Sequence, residues 1–268
     1  MYFEFIKSNI IKYIDNNDIF EKVHLKFCKI IIHLKATTPN CMIYGELGRY
    51  PLDVDIKHRN ILCWSKLITG KDIKLSIISY RLLYLSQNND CQFLWLNYVE
   101  SILNECGLSY VWLNQYFISE QWLRNSVKTC LQDQFYQTWH ANIDTGSKTL
   151  NYRLFKNNFE FENYLNIFYD RDIFTFCRFR LNNHKLPVEY GRWKNIPREL
   201  GLCNLCNTAD LGDEFHYLLK CNYFSEKRKT CLDKKYFKNC NNLKFGTLMN
   251  LTKKSKIKKT LHLYKIYQ

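Results

Sequence analysis

The chain has 268 residues, of which 46% are hydrophobic and 16% aromatic, and a formal net charge of +14. That length can bury a sizeable core as one large or two small domains, and such an apolar composition excludes general disorder. No apolar run approaches the roughly 20 residues of a membrane span, so a soluble globular protein is expected, with no membrane partner.

Phe3 to Ile14 places apolar residues near helical spacing, Asp15-Asn-Asn-Asp18 breaks the pattern, and 19–34 reads as a second helix. Thr37-Thr-Pro-Asn40 reads as a turn. The stretch from Met42 to Leu52, punctuated by Gly45, Gly48 and Pro51, reads as a connection. Further helices are predicted over 53–67, 73–86, 91–106, 119–140, 148–166 and 172–183, with breaks at 69–72, 87–90 and 144–147. Residues 184–193 read as a loop that can hold a short turn. Beyond 221 the chain is lysine-rich, and Leu248, Leu251, Ile257, Leu261 and Tyr264 recur at roughly helical intervals. With only nine Gly and four Pro in the whole chain, long helices are favoured over a many-turned β architecture. The expected fold is mainly α: a helical bundle-like domain over 1–170, a basic segment with a small zinc knuckle over 171–225, and a basic C-terminal helix or tail over 226–268.

Cys203, Cys206, His216 and Cys221 read C-x2-C-x9-H-x4-C. A C-x2-C pair puts two thiolates on one tight turn, and a following His and Cys can complete a tetrahedral sphere. Three sulfurs and one imidazole with no spare position describe a closed, structural zinc site. The competing reading, a chance C-x2-C among twelve cysteines, leaves the other two ligands unexplained. The remaining nine cysteines show no paired spacing and read as reduced core residues, as free cysteine commonly is. A reducing intracellular compartment, nucleus or cytoplasm, is therefore expected.

The charge is unevenly placed. Residues 1–170 carry +1, 171–200 carry +4, 201–221 carry −2 and 222–268 carry +11. Basic segments thus bracket the Cys/His cluster, which is the electrostatic footprint of a polyanion partner. Five of the eleven arginines (171, 178, 180, 192 and 198) fall in one short window that also holds Phe174, Phe176, Phe179, Tyr190 and Trp193. Interleaved cations and rings suit a single-stranded nucleic acid, through phosphate contacts and base stacking. The candidate contacts are Arg171, Arg178, Arg180, His184, Lys185, Arg192, Trp193, Lys194, Arg198, Lys227, Arg228 and Lys229. The partner expected is RNA or DNA, and the sequence does not specify an oligomeric state. A polymerase or other protein supplied in trans is the second partner class.

The chain has no Tyr-x-Asp-Asp polymerase signature, P-loop, Gly-x-Ser-x-Gly elbow or two-metal carboxylate cluster, so it is not expected to be an enzyme on its own.

Residues 177–193, 196–199, the Cys/His cluster and Gly-Asp-Glu-Phe-His-Tyr at 212–217 resemble the carboxy-terminal region of non-LTR (LINE-like) retrotransposon reverse transcriptases. Residues 23–29 and 42–52 resemble the helical segment that follows the polymerase domain in the same elements. The resemblance implies that Cys203, Cys206, His216 and Cys221 ligate zinc. It also implies that the surrounding region binds element RNA or target DNA during target-primed reverse transcription. Polymerase fingers and palm, an endonuclease domain and the Pro-Asp…Lys nuclease pattern are missing, so the family's catalysis does not carry over. The chain then reads either as a fragment or degenerate copy of an element, or as a retained carboxy-terminal module.

Overall fold

Apolar residues at helical spacing build α1 over 19–31, and Pro39 then precedes α2 (Asn40–Leu47). Pro51 stands before α3 (Leu52–Thr69), whose first turn carries Asp53 and Asp55, the charge sign a helix N-terminus favours. There follow α4 (Leu75–Gln87), α5 (Leu94–Glu105), the short α6 (Ser109–Asn114) and the long α7 (Glu120–Thr145). Then come α8 (Tyr164–Ile167), α9 (Arg171–Arg180), α10 (Pro187–Trp193), α11 (Ser225–Cys231), α12 (Lys234–Phe237) and α13 (Asn242–Met249). This computed structural model describes residues 19–70, 74–87, 93–167 and 171–251. The predicted helix at 3–14 and the lysine run from 253 onward lie outside them. The fold is mainly helical, as expected; among the described residues the only β pairing is two isolated bridges. No helix among them is long and apolar enough to cross a membrane.

The chain divides into two units. One takes residues up to His24 together with Tyr50–Thr138; the other takes Leu25–Arg49 together with everything from Trp139. The division expected near residue 170 does not coincide with this one, because residues on either side of 170 join the second unit.

The first unit has a hydrocarbon core. Val54, Ile61, Leu96, Ile102, Leu123 and Val127 from α3, α5 and α7 close around Trp64 and Trp112, whose rings lie 5.7 Å apart. The Trp64 indole N–H donates to the Tyr80 hydroxyl at 2.8 Å, and that hydroxyl donates to Gln115, so the buried polar atoms are satisfied. Burial pushes the Tyr80 hydroxyl up to about 12, against the pull of those two hydrogen bonds.

The second unit has ions in its core. Arg180, 1% exposed, pairs with Glu46 at 3.0 Å and Glu162 at 3.2 Å, and donates to the Met249 carbonyl at 2.5 Å. Its guanidinium also lies 4.5 Å from the centre of the Phe155 ring and 5.0 Å from that of Tyr164. Burial opposes its charge, but Glu46 and Glu162 outweigh burial and hold the proton more tightly than in a free arginine.

Three expectations change here. Residues 40–47 form a helix, not a connection. Gly45 belongs there because a Cβ would sit 2.8 Å from the Tyr152 hydroxyl and 3.0 Å from the Trp139 ring. Gly48, at φ 54°, ends α2 in the left-handed conformation, and its amide returns to the Gly45 carbonyl. Residues 187–193 also form a helix: Pro187 occupies its first turn, where no amide is needed, and Gly191 is buried inside it. Residues 148–166, predicted as one helix, form only a 3-10 turn at Tyr152–Leu154 and α8. Thr149 turns its hydroxyl onto the Ile143 and Gly146 carbonyls, and Lys156 reaches the Glu160 carbonyl and pairs with Glu162 at 2.5 Å.

Candidate metal centre and basic surface

The Cys/His segment begins as a narrow loop. Leu202 and Leu211 form an isolated antiparallel bridge, flanked by Cys203 N–H to Asp210 carbonyl at 2.9 Å and Gly212 N–H to Gly201 carbonyl at 2.8 Å. Ala209 adopts φ 51° where the chain reverses. His216–Lys220 then form a wide π-type turn, closed by Cys221 N–H to the His216 carbonyl at 2.8 Å. This turn and the loop bring the donor atoms of Cys203, Cys206, His216 and Cys221 within 4.8 Å of one another. The Cys203 and Cys221 sulfurs are 3.8 Å apart, far beyond a disulfide bond, and Cys206 Sγ lies 3.3 Å from His216 Nε2. The four side chains form a cluster able to hold a metal ion. All four were identified from spacing.

Polar groups behind the ligands orient them. The other ring nitrogen of His216, Nδ1, is buried and faces Asp210 Oδ2 at 3.4 Å. A carboxylate in that place fixes which nitrogen faces a metal. Asp213 accepts the His216 amide at 3.0 Å and is itself held by Arg198 at 2.7 Å. Burial lowers the His216 imidazole from its usual value, favouring the neutral form a metal requires. Burial pushes the Cys221 thiol up to about 12. At Cys206 burial also disfavours the thiolate, but hydrogen bonds from Thr208 and the neighbouring thiols outweigh it and lower the thiol.

Several residues expected to contact nucleic acid have structural partners instead. Arg180 is the buried ion described above and cannot reach a ligand. Arg228 is buried; it donates to the Leu218 carbonyl at 2.6 Å and the Cys221 carbonyl at 2.8 Å, tying off the turn that carries two of the metal-cluster side chains. His184 is buried and faces Glu214 at 2.6 Å, while its Nδ1 accepts the Leu186 amide, so Nε2 carries the proton. Arg192 is half-buried, 3.1 Å from Glu189 and donating to the Ser147 carbonyl at 2.7 Å. Arg198 is spoken for by Asp213. For Arg180, His184 and Arg198 the partner is a carboxylate 15 or more positions away, and for Arg192 and Arg228 it includes backbone carbonyls; charge patterning displays neither.

The remaining candidates lie on the surface. Trp193, 45% exposed, carries Lys35 over its ring at 4.0 Å, and Tyr190 carries Lys194 at 4.7 Å. Lys185 and Lys227 are exposed, and Lys229 is exposed with Glu226 at 2.7 Å. Arg178 is half-buried and donates Nε–H to the His33 carbonyl at 3.0 Å. Arg171 opens α9, and its side chain lies outside what is described. Lys35 was not identified from sequence; nothing near it in the chain links it to Trp193, 158 positions later.

The other cysteines match the expected core role in part. Cys28 and Cys177 are buried, whereas Cys63 is exposed and Cys41, Cys106, Cys130, Cys231 and Cys240 are intermediate. Fold and site together define a mainly helical protein with a Cys3His cluster able to hold a metal ion. The chain matches no protein-family model, no curated protein and no solved structure.

Proposed function

We propose that Cys203, Cys206, His216 and Cys221 hold a structural zinc ion, and that the basic, ring-bearing surface of the second unit binds RNA or single-stranded DNA. Zinc–thiolate bonds of about 2.3 Å at the tetrahedral angle put two sulfurs about 3.8 Å apart, the spacing of Cys203 and Cys221. Four ligands leave no open position, so the ion organises the loop and does no chemistry.

The observation that carries the nucleic-acid reading is the charge asymmetry, +1 over 1–170 against +11 over 222–268, joined to exposed rings that each carry a lysine. Phosphates take the cations and bases take the rings. The motifs at 177–193 and 212–217 extend the proposal: the chain corresponds to the part of a non-LTR element that follows its polymerase, with no polymerase or nuclease site of its own.

A second reading, a metal-stapled scaffold for a protein partner such as a polymerase in trans, is favoured by α4. There Leu75, Ile78, Leu82 and Leu85 are all exposed at helical spacing.

A salt titration of binding to labelled single-stranded RNA, with and without a zinc chelator, separates the two. The nucleic-acid reading expects affinity that falls steeply with salt and collapses on chelation. Absent or salt-independent binding would overturn it in favour of the scaffold.

A further inference from the structure

The cations of the second unit fall into two groups. Arg180, Arg192 and Arg198 each face a carboxylate at 2.7–3.2 Å, and Arg228 is consumed by backbone carbonyls. Lys35, Arg178 and Lys185 belong to the other group. None of these three makes an ion pair among the described residues, although acidic side chains are used freely around them.

They also converge. All three line one cavity of about 400 Å³, between the 33–35 loop and the residues that end α9 and follow it, with Asn183 and His184 in its wall. That volume falls in the range of small-molecule sites and accommodates a phosphate with its sugar. Two of the three are held in place by the fold. Arg178 is anchored through Nε to the His33 carbonyl, which aims its remaining guanidinium edge without using it. Lys35 rests on the face of Trp193. Burial, then the charges of Lys185 and Arg178, lower Lys35 from its usual value, with Glu189 the one opposing influence. Crowded like charges without a counter-ion in direct contact are what a bound anion relieves.

We propose that this cavity is a phosphate-binding pocket for a nucleic-acid strand, in which Arg178, Lys35 and Lys185 hold one backbone phosphate and Trp193 positions Lys35. The assignment rests on the nucleic-acid reading for its ligand, but the pocket makes its own demand: an anionic phosphate ester, bound at a stated place.

The test uses the full chain and the variant Lys35→Gln with Lys185→Gln, which removes two charges that no hydrogen bond of the fold depends on. Binding to labelled single-stranded RNA is expected to weaken at least tenfold at low salt, and the slope of log affinity against log salt to shrink by about 0.7, one single-strand phosphate contact. The control variant Lys66→Gln with Lys128→Gln, in the first unit, removes the same charge and is expected to change affinity less than twofold. In parallel, adenosine 5′-monophosphate but not adenosine is expected to shift the Trp193 indole N–H resonance, assigned with Trp193→Phe. Strand binding that is unchanged in the Lys35/Lys185 variant, or weakened equally in the control, overturns the pocket and leaves the broader reading intact. A chain that ignores RNA but still responds to the mononucleotide at Trp193 overturns the broader reading and keeps the pocket. No response to either ligand overturns both.

Discussion

The two units solve the problem of a stable interior in different ways. Around Trp64 and Trp112 the first unit packs aliphatic and aromatic side chains, and its clearest ion pairs, Lys57 with Asp53 and Glu105, lie at the rim. The second unit buries Arg180 with Glu46, faces His184 with Glu214, ties three carbonyls to Arg228 and gathers three thiols and an imidazole. Hydrocarbon burial is non-directional and tolerates substitution of similar volume. Buried charge and metal ligands are all-or-none, since removing one partner strands the other. The second unit is therefore expected to be the more vulnerable to single changes and, with the proposed zinc bound, to chelators, and the first the more indifferent.

The largest effect is expected at the Cys/His cluster. Cys206→Ser should abolish stoichiometric zinc and unfold the 201–221 loop, because metal affinity in such segments is folding free energy. Native mass spectrometry and amide exchange would check this; protection in α3, α5 and α7 should persist. Next comes Arg180→Met, which leaves the Glu46 carboxylate buried without its partner. The expected loss is about 3–5 kcal/mol in urea unfolding, against less than about 1 kcal/mol for Arg178→Met nearby on the same helix. Arg228→Ala, which deprives the Leu218, Tyr217 and Cys221 carbonyls of their donor, should cost about 1–3 kcal/mol and weaken zinc retention against a competing chelator.

How far the sequence could show this differs between the two kinds of site. The metal cluster was legible because its chemistry is local: two thiols two residues apart on a turn, with an imidazole and a thiol within the next fifteen positions. The long helices were legible for the same reason, through their periodicity. Arg180 was not, because what decides its role is Glu46, 134 positions earlier. Likewise Gly45 and Gly48 read as punctuation, yet one admits the Trp139 ring and the other caps a helix. Pro187 reads as a loop residue in sequence, yet proline is favoured in a helix's first turn, where its missing amide is not needed. Charge patterning located the basic region and could not say which of its cations the fold consumes.

The smallest effect is expected in the first unit, and only in alkali. Burial raises the Tyr80 hydroxyl from its ordinary 10 to about 12, so the folded chain keeps a proton that the unfolded chain releases. Its contribution is fully present below pH 10 and is lost as pH rises through about 12. Tyr80→Phe should flatten the pH dependence of unfolding in that window, at the cost of the hydrogen bond from Trp64, as followed by tryptophan fluorescence.

The most direct test of the account is cobalt(II) substitution of the purified chain, followed by visible absorption. One equivalent bound with intense tetrahedral d–d bands and thiolate-to-metal charge transfer, both lost in Cys206→Ser, is the expected result. No bound metal, or the weak bands of an octahedral ion, would contradict the claim that Cys203, Cys206, His216 and Cys221 are one closed structural site.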